Sequence, residues 1–297
     1  MVQKILTALD GSKTSESILP YLETLLASQD ANVTLVQVTS GSSAARIHEA
    51  NSYLNRVAST LRAKGAVVDV HVLTGKPAPT IVDMAVRGCY SLIVMCSRGK
   101  TGLKRLLLGS VAEEMLRLSP IPVLVVHPLT KAAGKMKIKR IVVPLDGSHR
   151  SGSILAHVAP LAKATGAKLL FTTIVEPHAK GEMPVEIVAR NLFREQKILH
   201  KLGIQTEIAI RYGDPVAEIL SFGDVQNADL VALSTHGRTG LDRARYGSVA
   251  ESVLRRGKFP LLLLRTAGKF VSDPVHVPAI RAQRRSKQME AAGAGSK

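Results

Sequence analysis

The run SLIVMCSRGKTGL, Ser91 to Leu103, returns as DLVALSTHGRTGL, Asp229 to Leu241. Each copy is a strand-sized apolar stretch that breaks into a loop of glycines, hydroxyls and basic residues. Its surroundings return with it. KILTALDGS (Lys4 to Ser12) recurs as RIVVPLDGS (Arg140 to Ser148), and GKPAPTI (Gly75 to Ile81) as GDPVAEI (Gly213 to Ile219). GSVAEEMLR (Gly109 to Arg117) recurs as GSVAESVLR (Gly247 to Arg255), and IPVLVV (Ile121 to Val126) as FPLLLL (Phe259 to Leu264). The offset is 136 at the start and 138 afterwards, and the order is kept. Five matches in register mark a duplicated unit. They predict two domains, residues 1–128 and 140–265, joined by 129–139. The join, LTKAAGKMKIK, has four lysines and one glycine and reads as an exposed linker. Residues 266–297 hold Pro274, Pro278, Gly293, Gly295 and the cluster Arg281, Arg284, Arg285, Lys287, and read as a basic, disordered tail.

Inside each half, strand-sized apolar runs alternate with helix-sized segments. The first half predicts strands near Lys4–Leu9, Val33–Val38, Val67–Leu73, Leu92–Met95 and Val123–Val126. Nearly continuous apolar strands suit a parallel sheet covered on both faces. The segments between them read as helices near Ser15–Ala27, Ala45–Lys64, Ala78–Arg87 and Ser110–Leu118; Ile18, Leu22, Leu25 and Leu26 recur at helical spacing. The second half repeats the pattern, with strands near Ile141–Pro144, Lys168–Ile174, Ile204–Ile210, Leu230–Leu233 and Pro260–Leu264. The fold class is therefore α/β: two repeated open five-stranded parallel sheets with helices on both faces. Right-handed crossovers send every strand C-terminus of a half to one edge, where ligands bind at the switch in strand order.

The chain has 297 residues, and 45% of them are hydrophobic, enough for real cores. No apolar run approaches the roughly 20 residues of a membrane span, and MVQKILTALD reads as a first buried strand rather than a signal peptide. A cytoplasmic location is expected. Two cysteines, Cys89 and Cys96, make neither a disulfide framework nor a four-thiolate metal site. Aromatics are 3% with no Trp, which argues against reading nucleic acid by stacked bases. The net charge is +17. Residues 1–130 carry 13 basic and 9 acidic groups, 131–265 carry 21 and 12, and 266–297 carry 6 and 2. The excess is spread along the chain. It favours anionic partners such as nucleotides, nucleic acid or acidic lipid headgroups without choosing among them.

Three elements gather at the C-terminal edge of each half. Asp10-Gly11-Ser12 and Asp146-Gly147-Ser148 follow the first strand. The loop Cys96 to Gly102, or Ser234 to Gly240, follows the fourth. Gly109-Ser110 and Gly247-Ser248 open the last helix. Free N–H groups at a helix start hold anions, and the helix dipole favours them. Plainer readings stand beside this one. Ser110 with Glu113, and Ser248 with Glu251, fit a capping box, and each Asp could cap the next helix. Together, and duplicated in register, these features favour a phosphate site. Arg98-Gly99-Lys100-Thr101 contains the GKT of a P-loop, but the glycine required five residues before Gly99 is Val94. No GxGxxG follows either first strand, so a dinucleotide fold is unsupported. His236 has Arg98 as its counterpart, and no acid–base pair is repeated in both halves, so no catalytic residue is assigned. No dedicated metal cluster is seen.

At these residues the sequence resembles the universal stress protein family in its tandem two-domain form, over about residues 2–127 and 138–265. LDGS, the GDP turn at Gly213 and the run HGRTG…GSVAE…VLR…P carry the likeness. The resemblance implies the adenine nucleotide alpha hydrolase-like fold, and for one branch ATP binding through an Asp and a glycine motif. It places the adenine-side carboxylate at Asp10 and Asp146 and an apolar wall with strand-2 backbone at Val38 and Ile174. The phosphates would lie at Gly99, Gly109 and Ser110 in one half, and at Ser234, Gly237, Gly247 and Ser248 in the other. The first motif glycine is replaced by Cys96 and by Ser234. Ser234 is small and can donate a hydrogen bond, whereas Cys96 is bulkier and a weak donor. Binding is therefore expected in the second half more than in the first. Family dimers form through fifth strands, so Pro122–Val126 and Pro260–Leu264 are expected to pair within one chain, which also covers bare apolar edges. Further dimerisation remains open.

The function expected is that of an ATP-binding stress-response or regulatory protein, with Mg²⁺ brought by the phosphates. Two alternatives stand. One is a nucleotide-free scaffold that binds a protein or, nonspecifically, nucleic acid. The other is a weak ATPase, for which no general base stands out.

Overall fold

A computed structural model of the protein describes residues 3–28, 31–99, 108–128, 137–176, 184–235 and 247–266. In the first half, β1 (Gln3–Ala8) leads through a 3₁₀ turn (Ser15–Ile18) into α1 (Leu19–Ser28). Next come β2 (Ala31–Thr39), α2 (Ala44–Arg62), β3 (Val67–Thr74), α3 (Pro77–Arg87), β4 (Leu92–Cys96), α4 (Ser110–Leu118) and β5 (Val123–Val126). The second half repeats this as β6 (Arg140–Pro144), α5 (His149–Gly152), α6 (Leu155–Thr165), β7 (Lys168–Val175), α7 (Val185–Lys201) and β8 (Thr206–Tyr212). It closes with α8 (Pro215–Val225), β9 (Leu230–Ser234), α9 (Ser248–Arg256) and β10 (Leu261–Leu264). The stretch expected as one helix over Ser15–Ala27 divides into the 3₁₀ turn and α1, and its counterpart in the second half divides likewise into α5 and α6.

The strands form a single ten-stranded sheet in the order β3-β2-β1-β4-β5-β10-β9-β6-β7-β8. All neighbours are parallel except β5 and β10, which run antiparallel with Leu124 opposite Leu262. The two expected five-stranded sheets are thus joined edge to edge through their fifth strands. Alternate residues point to opposite faces of a strand. Leu124 and Val126 therefore belong with Leu262 and Leu264 to one apolar layer, packed under α1, α2, α6 and α7. Val123 and Val125 belong with Leu261 and Leu263 to the other, packed under α3, α4, α8 and α9. Both layers run across the join. Arg255 of α9 spans it, lying 3.8 Å from Glu113 of α4 and 3.0 Å from Glu251 of its own helix.

Between β5 and β6, Ile138 is buried, and the Asp229 carboxylate accepts hydrogen bonds from the backbone N–H groups of Lys139 and Arg140 at 2.7 and 2.9 Å. The end of the stretch read as linker is therefore tied into the body, while 129–136 lie outside the described residues. So do residues 267–297, the greater part of the stretch read as a disordered tail. Among the described residues no helix is long and apolar enough to cross a membrane.

Candidate functional site

In each half the strand order reverses direction beside the first strand. β1 lies between β2 and β4, and β6 between β7 and β9. The crevice this opens at the strand C-termini is where open α/β sheets take ligands. Asp10 follows β1 and Cys96 ends β4, so the two segments meet there. A Cβ built on Gly99 would overlap Oδ2 of Asp10. Only glycine permits this approach of backbone to carboxylate.

The loop after β1 is built by hydroxyls. The backbone N–H and hydroxyl of Ser12 donate to Asp10 Oδ1 at 3.0 and 2.6 Å. The Ser15 N–H donates to Ser12 Oγ, and the Ser15 hydroxyl receives the Asp10 N–H at 3.5 Å. The second half matches it. Ser148 N–H donates to Asp146 Oδ1 at 2.9 Å, Ser151 N–H to Ser148 Oγ at 3.1 Å, and Asp146 N–H to Ser151 Oγ at 3.3 Å. The glycine between takes φ of 82° at Gly11 and 80° at Gly147, a conformation that side chains rarely adopt. Ser148, rather than Asp146, caps the following helix. The aspartates are held by the turn as acceptors at the crevice. The sequence reading used Asp-Gly-Ser and passed over the second serine. Its signal was present, since Asp-Gly-Ser-x-x-Ser occurs in both copies. It also passed over Asn191 and Val188 of α7: Asn191 donates to the Gly147 carbonyl at 3.3 Å, and Val188 packs on Gly147.

The last helix of each half starts at the same crevice. Gly109 N–H donates to the Ser97 carbonyl at 2.9 Å, and Gly247 N–H to the Thr235 carbonyl at 2.6 Å. The N-caps are the glycines, so Ser110 and Ser248 stand one place inside the helix. The capping-box reading therefore fails in both halves, because that device needs the serine itself at the N-cap. The first N–H groups of α4 and α9 have no partner within their helix, and the serine hydroxyls stand beside them.

The halves differ where the repeat differs. Cys96 is buried and lies 3.4 Å from the Ser17 hydroxyl. Burial pushes its thiol up from the ordinary value. Ser234, its counterpart, is only half-buried. Next to Cys96, the Ser97 hydroxyl pairs with His127 Nδ1 at 3.1 Å. Burial, and then the Arg98 guanidinium, lower the His127 pKa to about 4. Tyr53 of α2 is pushed up to about 12, mainly by burial, with the Glu16 and Asp10 carboxylates adding to the rise. Val38 lies near the end of β2 and Ile174 near the end of β7; both are half-buried against the layer that holds α4 and α9. Gly237 and His236 lie outside the described residues. The structure thus brings Asp10, Gly99 and Gly109 to one crevice, with Ser110 opening the adjoining helix. Asp146, Ser234, Gly247 and Ser248 occupy the matching positions in the second half.

A parallel sheet with a strand-order switch, an acceptor aspartate after the first strand and a helix start pinned after the fourth define an open α/β unit built twice. The universal stress protein family model matches residues 1–127 and again 137–265, and the chain belongs to that family. A universal stress protein of Methanocaldococcus jannaschii is 29% identical over 148 residues, 46% of this chain and 87% of that protein. One from Mycobacterium tuberculosis is 27% identical over 243 residues, 74% of this chain and 73% of that protein. The fold matches the crystal structure of a universal stress protein from Archaeoglobus fulgidus with a TM-score of 0.71, at 24% identity, covering 89% of this chain and 98% of that one.

Proposed function

We propose that the protein binds an adenine nucleotide, ATP in the first instance, at the strand-switch crevice, and that binding serves a regulatory role in stress response within the cytoplasm. The observation that carries the reading is the meeting of Asp10 with the backbone of Gly99 at the switch. It sets a hydrogen-bond acceptor beside the backbone of the loop that follows β4. The carboxylates of Asp10 and Asp146 accept from the adenine amine. Val38 and Ile174 line the base. The phosphates rest at Gly99 and on the first N–H groups of α4 with the hydroxyl of Ser110, and in the second half at Ser234, Gly237 and Ser248. The N–H groups of Gly109 and Gly247, expected as phosphate donors, instead donate to the Ser97 and Thr235 carbonyls and brace the helix starts. Phosphate-bound Mg²⁺ needs few protein ligands. Burial of Cys96 against Ser17 leaves the first crevice without the hydroxyl that Ser234 offers the second, so the second half binds more tightly.

Calorimetric titration with MgATP tests this. One or two equivalents should bind, and Asp146→Ala should remove the tighter site while the fold survives. A flat titration, together with no nucleotide released from gently purified protein on denaturation, would sink the reading.

A further inference from the structure

The repeat supplies an internal control for every surface. Helices α2 and α7 occupy equivalent places over the sheet, so what the fold requires of one it requires of the other. Their outer faces differ. Among the described residues, α2 has no exposed large apolar side chain, while α7 has three: Ile187, Phe193 (59% exposed) and Ile198. Edge strand β8 adds Ile210 and Tyr212 (65% exposed). Strand alternation puts both on the same face of the sheet as Ile208, which packs in the layer under α7. At the end of β3 the residue matching Tyr212 is Thr74.

The cations differ in number: α2 carries three exposed ones, Arg46, Arg56 and Arg62, and α7 four. On α2, Arg56 pairs with Glu16 at 3.0 Å, and Arg62 donates to the Val68 carbonyl at 2.5 Å. On α7, Arg190, Arg194, Lys197 and Lys201 are all exposed. Arg194 lies in the field of half-buried Glu195, and exposed Glu186 stands four residues before Arg190 on the same helix, so the cations of α7 outnumber its carboxylates four to two. Spacings of three and four place side chains on one helical ridge. Ile187, Arg190, Arg194, Ile198 and Lys201 make one such ridge, and Arg190, Phe193, Lys197 and Lys201 a second beside it.

We propose that this face of α7, with the exposed end of β8, is a docking surface for an anionic lipid bilayer. Charge selects the partner first, since four exposed cations need a negative surface. The apolar residues select next. Phe193, Ile187 and Ile198 gain nothing from a phosphate backbone but enter the boundary between headgroups and acyl chains. A bilayer also needs no shaped pocket, because each cation near its surface contributes separately, about fivefold in partitioning. The C-terminal segment does not suit this face, having 6 basic and 2 acidic groups of its own after residue 265.

The test is flotation of the full chain with phosphatidylcholine vesicles, with and without phosphatidylserine. Binding should require phosphatidylserine and weaken with salt. The triple variant Arg190→Gln, Arg194→Gln, Lys197→Gln should lower partitioning about a hundredfold. Phe193→Ser with Ile198→Ser should lower it at least tenfold at unchanged charge. These positions are exposed, and the circular dichroism spectrum checks that the variants fold. As a control, Arg281→Gln, Arg284→Gln and Arg285→Gln in the full chain should leave most binding intact. Three results overturn the proposal: no binding to phosphatidylserine vesicles, loss only in the tail variant, or binding that ignores Phe193 and Ile198. The last would mark the face as a general polyanion surface, and an RNA competitor would then displace the vesicles.

Discussion

Gly99 and Gly147 hold their places for different reasons, and their substitutions should fail differently. At Gly99 the obstacle is the tip of one side chain, Asp10. Gly99→Ala should therefore fold normally, push the carboxylate aside and remove nucleotide from the first half, read as a change in calorimetric stoichiometry. At Gly147 the backbone is in the left-handed region at φ 80°, and an added Cβ would lie 3.1 Å from Val188 Cγ2. Gly147→Ala should cost about 1–3 kcal/mol in urea unfolding. The two thiols should also separate. Cys89 is exposed and Cys96 buried, so a thiol reagent should titrate one cysteine in the native protein and the second only on unfolding. The aspartates and glycines were legible in the sequence because they recur in register. Asn191 was not, since its role depends on where α7 lies in space.

At the level of elements, the pinning of a helix start to the preceding strand is what sequence handled least well. Ser-x-x-Glu reads as a cap wherever it occurs. Whether the serine is the N-cap or the next residue depends on Gly109 reaching the Ser97 carbonyl, twelve positions away in sequence. The strands and most helices, by contrast, were legible to within a few residues, because both faces of the sheet are covered and their apolar runs are nearly unbroken. The end of β5 carries a titration. His127 has an ordinary pKa of 6.5 when unfolded and about 4 in the fold, so the unfolded chain binds more protons between those values. Its contribution to stability is complete above pH 6.5 and is lost as the pH falls toward 4, by up to about 3 kcal/mol. His127→Asn should flatten the stability profile across that window relative to wild type, measured by urea unfolding at pH 4.5 and 7.5. A profile of unchanged slope would show that His127 titrates normally.

The whole molecule depends on its seam. Leu262 is buried opposite Leu124 at the only antiparallel pairing among the described strands, in an apolar layer continuous across both halves. Leu262→Ala should cost about 2–5 kcal/mol in chemical unfolding. The duplication could be read from the repeats, and the pairing of fifth strands followed from the family resemblance. The continuity of the two apolar layers could not, because it follows from the register Leu124 to Leu262. That antiparallel seam also sets where charge collects when nucleotide is bound. It turns the strand C-termini of one half toward the rim opposite those of the other. The two triphosphates would then lie apart by at least the height of a strand, about 15–20 Å, beyond the roughly 8 Å over which exposed charges are felt at physiological ionic strength. On the proposed binding, each ligand would enter without repulsion from its twin, and the filling of each crevice would follow that crevice's own affinity alone.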